Sequence, residues 1–122
     1  MVMGYSCTWD TSNVTDMNNM FYRAAAFNRP LNTWDTSNVT DMSLMFSGAV
    51  RFNQPLDTWK TLKVTDMRQM FDGVAAFDRN LAPWNIAKVT DMYGIFSKSG
   101  ITKPNYCAVQ SLPVWSSHIL GV

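Results

Sequence analysis

A thirteen-residue phrase, WDTSNVTDMSLMF from Trp34 to Phe46, recurs along the chain at a fixed step of 25 residues, and this period constrains the fold more than any other feature. Trp9, Trp34, Trp59 and Trp84 mark its four copies. Val14, Val39, Val64 and Val89 keep the same step, as do Asp16, Asp41, Asp66 and Asp91. Periods of about 20 to 50 residues belong to stacked supersecondary units, because one unit cannot bury its own apolar side chains and needs a neighbour on each face. The chain therefore reads as a short solenoid.

Each copy divides into an extended piece around the Trp, a segment opening at Thr-Asp, and a return through Phe and Leu. Leu31, Trp34 and Thr36 have leucine-rich-repeat spacing, which turns Trp34 and Thr36 inward and leaves Thr33, Asp35 and Ser37 outside. Met42, Met45 and Phe46 follow the i, i+3, i+4 pattern of one helical face, with Thr40 or Asp41 at the N-cap position and Gly48 where a helix ends. Pro30 and Pro55 exclude helix in the return. The expected fold class is α/β: a right-handed, leucine-rich-repeat-like solenoid of four 25-residue turns, each with a short parallel strand and a short helix. Residues 1–8 form a lead-in or partial cap, 9–105 the solenoid, and 106–122 a non-repetitive capping segment.

Stacking the copies predicts interior ladders of Trp9, Trp34, Trp59 and Trp84 and of Phe21, Phe46, Phe71 and Phe96. Methionines Met17, Met42, Met67 and Met92 form a third, so most Met and aromatic residues belong to the core rather than to an adaptable groove or a cofactor box.

Chemistry is sparse. Asp16, Asp41, Asp66 and Asp91 would form a column of carboxylates at about 5 Å spacing, which invites comparison with a calcium site. Four helix N-termini would offset their repulsion, so they are assigned as helix caps with no metal. Cys7 and Cys107 lie four periods apart, about 19 Å at 4.8 Å per turn. A disulfide spans Cα separations only to about 7 Å, which favours two unreactive thiols. His118 is the only histidine. No nucleophile, base and orienter set, phosphate loop or Cys/His metal spacing is visible, so no enzyme, cofactor or small-molecule substrate is expected.

The formal net charge of +1 gives no field for nucleic acid or an anionic membrane. No apolar run reaches the roughly 18 to 20 residues of a membrane-spanning helix, and the start lacks the pattern of a signal peptide.

WDTSNVTDMSLMF followed by FNQPLDTW resembles the repeat of BspA-type leucine-rich-repeat surface proteins, also recognised as lipoprotein repeats in mycoplasmas. The resemblance spans about Trp9 to Phe96. It implies adhesion or host-protein binding at the cell surface, and it brings no catalytic residues.

The expected function is a non-enzymatic module for protein–protein interaction. Its outward face carries Thr33, Asp35 and Ser37, then Thr58 and Lys60, then Asn85. This face varies between copies while the interior does not, which suits recognition on a fixed scaffold. The alternative is a structural unit that assembles with itself through a solenoid end.

Overall fold

The structure, a computed structural model, describes residues 9–102 and 105. Cys7, Cys107, His118 and both expected capping segments lie outside the described residues. Four 25-residue coils stack along one axis, yet the described chain contains almost no helix, almost no strand and no sheet. The expected α/β solenoid of strand and helix is therefore incorrect. Extended pairing is reduced to single parallel bridges, Asp16 to Asp41, Asp41 to Asp66 and Asp66 to Asp91.

The coils are built of consecutive β-turns. Along the arc expected to be helical, the N–H groups of Met45, Ser47 and Ala49 close turns on the carbonyls of Met42, Leu44 and Phe46, three residues back. The intervening N–H groups of Met42, Leu44, Phe46 and Gly48 leave the coil. They donate to Asp66, Arg68, Met70 and Asp72 in the next one, at 2.8 to 3.0 Å. An α-helix would direct all of these groups along its own axis. Here half of them hold the neighbouring coil.

This alternation needs left-handed backbone at two places in each arc. Positive φ occurs at Asn19, Leu44, Gln69 and Gly94, and four residues later at Arg23, Gly48, Gly73 and Lys98. Both places are third positions of turns, where a type II turn demands such a conformation.

The extended piece also breaks into turns. The Trp34 N–H donates to Leu31 and the Val39 N–H to Thr36, so only a short extended link separates two turns. Thr36, 1% exposed, serves as a clamp there: its hydroxyl donates to the Lys60 carbonyl and accepts from the Lys60 N–H. Thr11 and Thr61 do the same for Asp35 and Asn85. Side chains thus replace a backbone ladder on this side.

Inside the stack, equivalent rings lie over one another. Trp34 and Trp59 are 6.4 Å apart with their planes nearly parallel. Phe46 sits 5.5 Å from Phe21 and 5.7 Å from Phe71, while Phe52 stacks on it within the same coil at 4.2 Å. The Trp59 and Trp84 indole N–H groups donate to Leu31 and Leu56 of the preceding coil, so burial of these rings leaves no polar atom unmet. Trp9, by contrast, is 65% exposed at the first coil, and Trp34 is half-buried.

The spacing explains why helices are absent. Helix axes pack about 8 to 10 Å apart, whereas equivalent rings recur at 5.5 to 6.4 Å. A helix in every coil would force the arc to fan outward; a chain of turns keeps the spacing equal on all sides.

Two substitutions test this architecture. Phe46→Ala is expected to lower stability by about 3 to 5 kcal/mol, the range for deleting a buried aromatic ring. Thermal melting within a degree or two of the parent would contradict the ring ladder. Gly73→Ala places its Cβ where the nearest atom is 3.9 Å away, so no clash interferes. The left-handed backbone alone should then cost about 1 kcal/mol. An unchanged denaturant midpoint would contradict the turn geometry.

Candidate functional site

The turns present two rows of carboxylates and one outward face. In the first row the Asp16, Asp41, Asp66 and Asp91 carboxylates each accept the backbone N–H two residues on, at 2.9 to 3.0 Å. These are Asx turns that cap β-turns. The expected helix caps are corrected accordingly, since no helix begins at these residues. The Asn18 amide also bridges Asp16 and Asp41, at 3.4 and 3.2 Å. Among the described residues, no three of His, Cys, Asp or Glu gather closely enough to hold a metal ion.

The second row lies beside the Trp ladder. Asp10, Asp35 and Asn85 accept the N–H groups of Ser12, Ser37 and Ala87, at 3.0, 2.9 and 3.0 Å. Lys60 occupies the equivalent place in the third coil, where it can supply no acceptor.

Burial lowers the charge-bearing capacity of Asp41, but the Ser43 N–H and hydroxyl, the Asn18 amide and the Arg68 charge outweigh it, and its pKa falls below the usual carboxylate range. The hydroxyl and N–H of Ser37 lower Asp35, with burial and the charge of Asp10 opposing. The Thr102 N–H, the Asn105 amide and the Thr102 hydroxyl lower Asp78.

Thr33, Asp35, Thr58, Lys60 and Asn85 are all exposed on the outward face, and Ser37 is half-buried. Not all are free to engage a partner. The Ser37 hydroxyl donates to Asp35, and the Thr58 hydroxyl donates to the Asn32 carbonyl. The face is also indented between the third and fourth coils. A groove of about 490 Å³ is lined by Asp57 to Leu62 with Pro83 and Asn85. Leu62 is half exposed there, and Pro83 is exposed.

A third ladder on the return side escapes a reading based on chemistry alone. The Asn53 and Asp78 N–H groups donate to the Asn28 and Asn53 side-chain oxygens, and the Thr102 N–H donates to Asp78. The 25-residue step of Asn28, Asn53 and Asp78 is the signal that reveals it.

The depressed carboxylates fix a pH dependence. A folded-state pKa below the unfolded value of about 3.9 contributes stability above that value, which is lost as pH falls through the folded pKa. Melting temperature should therefore hold between pH 7 and 5 and decline below about pH 4. Asp41→Asn, which keeps an acceptor without the titration, should make the decline shallower. An identical acid limb in that variant would exclude Asp41 from the effect.

Among the described residues no helix is long and apolar enough to cross a membrane. No curated protein and no solved structure matches the chain. A family model does match, over residues 5–108, a span that contains all the stacked coils. The chain belongs to the family described as Mycoplasma protein of unknown function, DUF285.

Proposed function

We propose that this chain is a non-enzymatic module that binds another protein through its outward face, centred on Thr33, Asp35, Thr58, Lys60 and Asn85. The observation that carries the reading is the groove between the third and fourth coils. It combines half-exposed Leu62 and exposed Pro83 with exposed Lys60 on backbone fixed by the Thr36 and Thr61 clamps. Side chains that vary on an invariant scaffold can change specificity without disturbing the core. The resemblance to BspA-type surface repeats, carried by the recurring W, S-N-V-T-D-M and F-N-x-P-L, supports adhesion or host-protein binding at the cell surface as the setting. Such a module needs no cofactor, nucleic acid or membrane insertion.

A second reading, self-assembly through the first coil, is favoured by exposed apolar groups there. Met20 and Tyr22 are 39% and 44% exposed, whereas Met45 and Met70 in later coils are fully buried. A cleft of about 280 Å³ lined by Trp9, Phe21, Phe27, Pro30, Leu31 and Trp34 opens at the same end.

One comparison separates the readings. Thr33→Arg with Leu62→Arg alters the outward face, and Met20→Lys with Tyr22→Lys alters the first coil. Partner affinity and sedimentation across a concentration series are measured for each folded variant. The first reading expects the outward pair to weaken partner binding at least tenfold while leaving sedimentation unchanged. Undiminished partner binding, together with a concentration-dependent oligomer abolished only by the first-coil pair, would decide for assembly.

A further inference from the structure

In all four coils a backbone hydrogen bond closes the turn after the extended link, and in three of them a side chain also caps it. Asp10, Asp35 and Asn85 each place an oxygen on the N–H two residues ahead. In the third coil that N–H belongs to Leu62, and it has no acceptor among the described residues. The side chain that should supply one is Lys60, a cation. Its backbone is nevertheless held as in the second and fourth coils, with the N–H on Thr36 and the carbonyl accepting from that hydroxyl. The scaffold of the oxygen site is therefore intact, and only its oxygen is missing.

The vacancy lies inside the groove of the outward face. Around it, Lys60 brings positive charge, while half-exposed Leu62 and exposed Pro83 bring apolar surface. Asp57 also lines the groove, and the Lys60 charge also acts on Asp35 of the preceding coil, so the positive charge here is that of a single side chain. A carboxylate placed at this point would accept both the Leu62 N–H and the Lys60 ammonium, a charge-assisted arrangement about twice as strong as neutral hydrogen bonding. An ammonium or a neutral apolar group would leave the N–H unmet.

We propose that the third coil is a receptor site for a carboxylate of a polypeptide partner, an Asp or Glu side chain flanked by an apolar residue. The partner's oxygen occupies the place that Asp35 and Asn85 fill in their own coils, and its apolar neighbour lies on Leu62 and Pro83. This deepens the proposed protein-binding reading and rests on it.

The test uses the full chain labelled with nitrogen-15. The probes are two capped tripeptides, leucine-aspartate-leucine and leucine-asparagine-leucine. The aspartate peptide should move the Leu62 amide proton downfield in a saturable manner and bind about tenfold tighter than the asparagine peptide, a difference of about 1.4 kcal/mol. High salt should erase the preference. Lys60→Asn supplies the missing acceptor as Asn85 does. This variant should melt at or above the parent temperature and bind the two peptides equally.

Lys60→Asn melting well below the parent, or retaining the aspartate preference, would overturn the proposal. So would a parent chain in which neither peptide moves the Leu62 amide. If both peptides bind the groove equally, the carboxylate site falls while the protein-binding reading stands. That reading is decided independently by the effect of Thr33→Arg with Leu62→Arg on the partner.

Discussion

Everything in this molecule depends on how the N–H groups of each arc are divided between two tasks. In the arc from Met42 to Ala49 one set closes turns within the coil and the other reaches the next coil. A helix would spend all of them internally, leaving side chains alone to join successive units. A strand would send them sideways and close no turns. The division used here holds the coil's shape and its neighbour at once, which lets 25 residues complete a circuit with almost no regular secondary structure. Left-handed residues four apart are its conformational cost. Glycine meets it at Gly48, Gly73 and Gly94, but Leu44, Gln69 and Lys98 meet it without that freedom.

Several of the remaining backbone groups are met by side chains whose period matches the coil. Thr11, Thr36 and Thr61 each span two coils from a buried position, both donating and accepting. On the return side Asn28, Asn53 and Asp78 also span two coils, as acceptors from the next coil's N–H. Among the described residues no buried side-chain nitrogen or oxygen lacks a partner. This matters because an unmet buried polar group costs about 1 to 3 kcal/mol, and a stack with few apolar residues per coil could not absorb many. Repetition solves the problem once and copies the solution.

The period, the inward residues and the outward face were legible in the sequence because each depends on position within 25 residues. The helix was misread because its local signals are shared with a run of turns. Asp41 accepting the Ser43 N–H makes the same contact class that a helix N-cap makes, and Gly48 adopts the left-handed backbone that commonly ends a helix. Met42, Met45 and Phe46 point inward in either structure. What decides between them is the distance to the next coil, a quantity no single copy contains. Asn19 and Gly94, residue types tolerant of positive φ, sat at the middle of the supposed helix and were the available contrary sign. The groove was illegible for a related reason: its walls, Leu62 and Pro83, meet only when two coils are stacked.

The division of N–H groups also gives the stack a direction. Every arc donates toward the coil that follows it in sequence, as Met17, Asn19, Phe21 and Arg23 donate to Asp41, Ser43, Met45 and Ser47. The first described coil consequently displays a row of carbonyls, on Asp16, Asn18, Met20 and Tyr22, with no donor among the described residues. The edge is not made of acceptors alone, because the Thr40, Thr65 and Thr90 N–H groups run the other way, each donating to the threonine carbonyl of the coil before. Any polypeptide that continues the stack at this end must bring a row of N–H groups at the same two-residue spacing, together with apolar side chains to cover Met20 and Trp9.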